Sequence, residues 1–172
     1  MTARRRWTLA LGPAAVLLLA IPIVAYVVVP VFVRSRVDEP APRAAILRSA
    51  QATPSAPVAS APASSILLAG DLRRINTVDF GRGHVSVLQA GEQRFLRFEN
   101  VEIAAAPVQH VYLSDRSDGA PGNFTDLGSL KATSGSFNYE VPPGLDLRTV
   151  HSVVAWCKQF NTTVTYAVLS AP

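Results

Sequence analysis

The residue with the greatest capacity for chemistry is the single cysteine of the chain, Cys157. It follows the apolar run from Ser152 to Trp156, a pattern typical of a β-strand. Neighbouring side chains on a strand point to opposite faces, so Trp156 and Cys157 should face opposite ways. A lone buried cysteine usually packs as a small apolar residue. As a thiolate beside Lys158 it could instead bind a metal or haem iron, or exchange electrons. Sequence spacing leaves both interpretations open.

Other reactive groups in the sequence do not form a recognisable motif. The three histidines, His84, His110 and His151, are far apart and could meet only through the fold. Asp115 and Asp118 lie close together in a glycine-containing loop, but their spacing does not match a calcium loop and favours a solvated turn. No nucleophile is visibly paired with a base, so we expect a protein other than a classical enzyme. One cysteine also rules out an intramolecular disulfide.

The elements that would position Cys157 are short β-strands. Alternating runs at His84–Gln89 and Arg94–Asn100 flank residues 90–93 and predict a hairpin. Residues 66–172 contain no long helical period, so they predict a mainly β domain, a small antiparallel β-sandwich or barrel-like fold. A single helical turn is expected over Leu145–Thr149. Further strands are predicted at Ile66–Leu68, Val108–Ser114, Ser136–Val141, Ser152–Trp156 and Thr163–Leu169.

The N-terminal region predicts a membrane anchor. Residues 7–33 carry no charge, and 27 helical residues extend about 40 Å, enough to cross a hydrocarbon core of about 30 Å with some tilt. Residues 1–6, with three consecutive arginines, are expected in the cytoplasm, and the C-terminal domain outside it. The protein would then be a single-pass protein of the cell membrane. The alternative is a cleaved signal peptide, although 27 apolar residues exceed the usual length of its apolar region.

Residues 34–65 predict a disordered linker. Their Pro, Ala and Ser content offers little to a core, and a flexible coil of this kind would hold the domain on the order of 30 Å from the anchor. A fragment that starts near Ser64 is therefore expected to fold by itself. Between the anchor and the C-terminus the chain would then consist of one linker and one domain.

The charge distribution argues against nucleic-acid binding. The net charge of +4 is concentrated in the first 65 residues, which carry +5, whereas residues 66–172 carry −1. A nucleic-acid surface needs basic residues clustered on the folded part. All basic residues except Lys131 and Lys158 are arginine, a bias expected of GC-rich codon usage, and we therefore expect a bacterial cell envelope.

The order of motifs in the folded part resembles the DM-thirteen domain, a family named for electron transfer. The resemblance implies a small β-rich extracytoplasmic module in which Cys157 is the cofactor or redox residue and Trp156 supports it. The cofactor could be haem or another metal. The sequence departs from the pattern at Ala106 and at Val164–Thr165, which could alter a pocket wall. The resemblance rests on His84–Val87, Val111–Ser114, Asp126–Lys131, Gly135–Pro142, Ser152–Phe160 and Tyr166–Leu169.

Two classes of function remain at this point. The first is a membrane-anchored electron-transfer module centred on Cys157, which requires a redox partner. The second is a tethered, non-enzymatic binding module whose loops recognise a protein or cell-envelope polymer, because loops on a rigid β scaffold commonly carry binding sites.

Overall fold

The computed structural model describes residues 34–42 and 64–172. The predicted anchor, residues 7–33, lies outside the described residues, and the described residues contain no helix that is long and apolar enough to cross a membrane. Nine strands and one 3₁₀ turn, Leu147–Thr149, form the described part. The strands are β1 (Arg36–Asp38), β2 (Ser65–Asp71), β3 (Gly81–Ala90), β4 (Gln93–Ile103), β5 (Gln109–Ser114), β6 (Phe124–Ser129), β7 (Ser134–Val141), β8 (Ser152–Cys157) and β9 (Thr162–Val168).

The strands form a two-sheet β-sandwich. One sheet has the order β1-β7-β4-β3-β2 and the other has the order β6-β5-β8-β9. All pairs are antiparallel except β1 with β7. Isolated bridges from Ala69 to Ser170 and from Arg73 to Tyr166 connect β2 with β9, so the two sheets are joined along one side. The mainly β prediction is confirmed.

The core lies between the sheets, where alternate and mostly apolar residues of the strands face inward. Phe98 and Phe137 are fully buried, and their rings stack with centroids 5.0 Å apart. Val85 and Leu96 from one sheet and Val153 from the other complete the centre of the core. Aromatic pairs of this kind contribute about 0.5–1.5 kcal/mol beyond the area that they bury.

One end of the sandwich collects the start of β1 and four loops, and we call it the Cys157 end. The strand registers place there the β2–β3 loop (72–80), the β4–β5 loop (104–108), the β6–β7 loop (130–133) and the β8–β9 loop (158–161). The opposite end holds the β3–β4 turn and residues 142–151. Residues at the same end of the sandwich can therefore act together, whereas residues at opposite ends are separated by the length of the strands.

Most local predictions are confirmed. The seven predicted strands correspond to β2–β5 and β7–β9, the predicted hairpin joins β3 to β4, and a 3₁₀ turn forms within Leu145–Thr149. β6 was not predicted. Its sequence, Phe-Thr-Asp-Leu-Gly-Ser, contains residues that strands disfavour, and it forms a half-exposed sheet edge.

The predicted linker is wrong at its beginning, because Arg36–Asp38 is a strand of the folded domain. Arg36 is opposite Ser134, in parallel register. The backbone N–H of Glu39 donates to the Ser136 carbonyl at 2.6 Å, and the Ser35 carbonyl accepts from Ser134 N–H at 3.0 Å. The domain therefore begins before the Pro-rich stretch rather than after it. Residues 43–63 of the predicted linker lie outside the described residues.

The carboxylate of Glu39 holds β1 against β7. It accepts hydrogen bonds from Asn138 N–H at 2.9 Å, Asn138 Nδ2 at 3.1 Å and Lys131 Nζ at 2.9 Å. Burial raises the pKa of this carboxyl, but the hydrogen bonds and charge from Lys131 and Asn138 outweigh burial and bring the pKa below its usual 4.5. A carboxylate held in this way stabilises the fold when ionised.

We expect Glu39→Gln to lower the free energy of unfolding by about 1 kcal/mol at pH 7. Because the folded pKa lies below the unfolded one, the stabilisation is present above about pH 4.5 and is lost as the pH falls through the folded pKa. Urea unfolding at pH 7 and pH 3 measures the effect, and the difference between wild type and variant should shrink at pH 3. Glu92→Gln, in an exposed turn, is the control and should change little at either pH.

Candidate functional site

Cys157 is the last residue of β8 and faces the core. Its exposed fraction is 0%, and its thiol donates to the Pro107 carbonyl at 3.1 Å. Trp156, the preceding residue, points to the outer face of the sheet and is half-buried. The opposite orientation of these two side chains, which alternation predicts, is confirmed. The thiol is therefore shielded from solvent by the β4–β5 loop.

A second buried polar side chain lies across the strand from Cys157. Gln109 is the antiparallel partner of Cys157, so their side chains share the inner face of the sheet. The amide nitrogen of Gln109 donates to the Ala104 carbonyl at 2.7 Å, whereas its Oε1 has no hydrogen-bond partner among the described residues. An unpaired buried oxygen costs about 1–3 kcal/mol. This end of the core is therefore polarised, unlike its apolar centre.

The loop that shields the thiol is strained. Val108 has φ +50°, in the left-handed region that a β-branched residue rarely adopts, and 57% of it is exposed. Backbone strain of this kind costs on the order of 1–3 kcal/mol and tends to occur at functional sites. The strained residue directly follows Pro107, the acceptor of the Cys157 thiol.

The groups around Cys157 do not fit a metal ion or haem. The thiol is fully buried, its bonded neighbour is a backbone carbonyl, and the residue paired opposite it is an amide. Within residues 34–42 and 64–172, no three His, Cys, Asp or Glu side chains are grouped so that they could hold a metal. A haem bound through Cys157 would have to displace the β4–β5 loop.

Lys158 does not support the thiol in the way that its adjacency suggested. Its ammonium lies 3.3 Å from Asp126 Oδ2, and His110 Nδ1 lies 2.9 Å from the same carboxylate. Burial raises the pKa of Asp126, but the hydrogen bond from His110 and further donors outweigh it and lower the pKa. Lys158 and His110 thus form a polar cluster with Asp126 on the outer face of the sheet. The Cys157 thiol lies on the inner face of the same sheet.

A cavity of about 590 Å³ opens beside Trp156 on the outer face of the second sheet. Such a volume lies within the range of small-molecule sites, which combine apolar walls with a few polar groups. The long loop between β5 and β6 forms one wall, since the Gly119 carbonyl accepts from Thr163 Oγ1 at 2.6 Å. The lining residues are Arg74, Ile75, Asp118–Pro121, Trp156, Asn161–Thr163 and Tyr166.

The charges at this cavity are fixed by local pairs. Asp118 is paired with Arg116, whose hydrogen bond is the main cause that lowers the pKa of Asp118 to about 2. The guanidinium of Arg74 lies over the Phe80 ring at 5.0 Å from its centroid. Neither Trp156 nor Tyr166 shares the core with Cys157, so the cavity and the thiol lie on opposite faces of one sheet.

The remaining sequence candidates are separate from this site. His84 pairs with Asp71 at 2.8 Å, and His151 Nδ1 lies 2.7 Å from the Asp115 carbonyl. The Asp115 carboxylate accepts from Asn123 N–H at 2.9 Å and from the Asn123 amide. The structure therefore brings His110 close to Trp156 but leaves the other two histidines apart from it. No pattern in the sequence predicted the cavity or the position of the Gln109 side chain beside Cys157.

The fold and site define a class: a small β-sandwich with one buried cysteine, shielded by a strained loop, at one end. A sequence model of the family described as electron transfer DM13 matches residues 76–169, which is more than half of the chain. The chain therefore belongs to the DM13 family, as the motif order in its sequence indicated. No curated protein and no solved structure matches the chain significantly. The matched residues begin after β1 and β2.

Proposed function

We propose that this protein is an electron-transfer module anchored in the cell membrane by residues 7–33, with its β-sandwich outside the cytoplasm and Cys157 as its redox residue. The observation that carries the proposal is the match to the electron-transfer family over residues 76–169, which includes Cys157. The polar groups around the thiol support the assignment of Cys157 as the redox residue, because hydrogen bonds and burial around a sulfur tune its redox behaviour. Trp156 is the supporting residue on the other face of β8.

The structural features near Cys157 favour a role that depends on shielding. The thiol donates to Pro107 and faces an amide oxygen of Gln109 that lacks a partner, an arrangement that a purely apolar core residue would not need. We assign no cofactor to the thiol, since its neighbours do not fit haem or a metal ion. A redox-active group bound elsewhere in the domain would occupy the cavity beside Trp156.

A binding module is the second candidate, and the same cavity favours it. Trp156 and Tyr166 offer aromatic surface, and Arg74 and Asn161 offer polar contacts to a ligand of the cell envelope. In that case Cys157 would be a packing residue only. Trp156→Ala would then abolish ligand capture, whereas Cys157→Ser would leave it intact.

The test is protein-film voltammetry with an absorbance spectrum and metal analysis, performed on the full chain purified from membranes. We expect a one-electron couple that Cys157→Ser abolishes: the Cys157 thiol gives an electron to the electrode and a proton to the buffer, and the resulting thiyl radical regains both on the reverse scan. Ala155→Ser is the matched control, because Ala155 lies two residues earlier on the same inner face and is 1% exposed. The serine hydroxyl can still donate to Pro107, so Cys157→Ser should cost only about 1 kcal/mol of stability.

Each outcome has a distinct meaning. A couple lost in Cys157→Ser and retained in Ala155→Ser supports Cys157 as the redox residue. A couple that survives Cys157→Ser but is lost in Trp156→Ala moves the redox group to the cavity. A colourless, metal-free chain with no couple contradicts electron transfer and leaves the binding module.

A further inference from the structure

The Cys157 end of the sandwich is also the end at which the chain enters the domain. β1 begins at Arg36 and runs parallel to β7, from the Cys157 end towards the opposite end. Only Arg34 and Ser35 separate β1 from residue 33, the last residue of the predicted anchor. Three peptide steps extend at most about 10 Å. The Pro-rich stretch lies after β1, so it does not separate the domain from the anchor.

Apolar side chains are exposed at this end. Six large apolar residues are exposed in the described part of the chain, and four of them lie on loops of the Cys157 end. Their exposed fractions reach 75% for Val78 and 60% for Phe160. A cluster of exposed apolar residues on neighbouring loops marks a contact surface rather than the scattered exposure that is normal for a protein. The four residues are Ile75, Val78, Val108 and Phe160.

The strain at Val108 supports a surface role for this loop. A glycine would adopt φ +50° without penalty, yet the position holds a β-branched residue whose side chain is more than half exposed. Packing within the domain does not explain why this position holds a valine. The exposed Val108 side chain is instead available for a contact outside the domain.

Cations flank the apolar loops. Arg73 and Arg74 precede Ile75, and neither forms an ion pair with a residue in the described ranges. Arg34 and Arg36, where the chain enters, are largely exposed although each has an acidic partner. Apolar residues flanked by arginine suit the interface of an anionic bilayer, where rings and methyl groups enter the head-group layer and guanidinium groups meet phosphates.

We propose that the Cys157 end docks on the bilayer surface, with the β2–β3, β4–β5 and β8–β9 loops in the head-group layer. The domain then lies directly on the membrane instead of at the end of a tether, and the loop that shields Cys157 faces lipid. This inference rests on the membrane anchor of the proposed function, but not on the redox role of Cys157.

The test uses the full chain in vesicles of phosphatidylcholine and phosphatidylglycerol in equal parts, with a nitroxide on a fraction of the lipid head groups. A fluorophore is attached at Val78→Cys, Phe160→Cys or Phe124→Cys in a Cys157→Ala background. Phe124 is the matched control, because it is 48% exposed and begins β6 near the opposite end. We expect labels at positions 78 and 160 to be quenched several-fold more than the label at 124.

Flotation of the same vesicles after an alkaline wash tests the membrane anchor separately from the docking of the Cys157 end. A chain that fails to float contradicts the anchor, and the docking inference falls with it. A chain that floats but shows equal quenching at positions 78, 160 and 124 overturns the docking inference and leaves the anchor standing.

Hydrogen exchange on the unmodified chain provides a second measurement if the Cys157→Ala background does not fold. In nanodiscs of the same lipids, compared with detergent, we expect slower exchange in residues 72–80, 104–108 and 158–161. Residues 142–151, at the opposite end, should be unchanged. Equal exchange at both ends would overturn the inference.

Discussion

A fragment of residues 64–172, which lacks β1, should have a free energy of unfolding on the order of 3 kcal/mol below that of residues 34–172. Removing β1 breaks the bonds of Ser35 and Glu39 to β7, each of which contributes about 0.5–1.5 kcal/mol net, less the entropy of ordering the strand. It also exposes Arg97, which is 8% exposed and donates to the Glu39 carbonyl at 3.3 Å. Urea unfolding of both fragments measures the difference.

The shorter fragment should also associate. Without β1, strand β7 becomes a sheet edge with unpaired N–H and C=O groups, and such edges recruit other chains. Light scattering should therefore rise with concentration for residues 64–172 but not for residues 34–172. Equal stability and equal scattering would contradict the docking of β1. This expectation replaces the one from sequence, which treated Ser64 as an adequate starting point.

Gly70→Ala is expected to lower the free energy of unfolding by about 2–3 kcal/mol, because there is no space for a methyl group where β2 meets β9. A Cβ at this position would overlap the carbonyl oxygen of Val168, a backbone atom that cannot rotate away. The Ala69–Ser170 bridge beside it ties the two sheets together, so the strands would have to separate. Thermal or urea unfolding measures the loss.

Gly144→Ala is the matched control. Nothing lies within 4 Å of a Cβ at Gly144, in the turn after β7, so its stability should stay within about 0.5 kcal/mol of wild type. If both alanine variants unfolded alike, β2 would not approach β9 as closely as described, and the joined side of the sandwich would be wrong.

The sequence predicted most strands because their apolar residues alternate clearly. It missed β6 because Asp126 and Gly128 interrupt the pattern of an edge strand. β1 was missed for a different reason. Three residues, Arg36–Asp38, carry no detectable period, and they follow an apolar span and precede a Pro-rich stretch. Only their pairing with residues about a hundred positions away makes them a strand.

The site was predictable only in part. Alternation along β8 correctly placed Cys157 on one face and Trp156 on the other. The acceptor at Pro107 and the amide at Gln109 come from a neighbouring strand and its loop, and the wall of the cavity comes from residues 118–121. Contacts between distant segments leave no local pattern in a single sequence. The anchor and its orientation stay predictions.

The pairing of β1 with β7 has a consequence for the order in which the domain can assemble. Ser35 and Thr133 are 98 residues apart, so β1 must wait until about a hundred further residues have left the ribosome before it finds its partner. Contacts of such separation form late, because closing a long loop costs entropy before the contact repays it. During synthesis β1 therefore remains unpaired until β7 has been made, and its docking should be a late phase of folding.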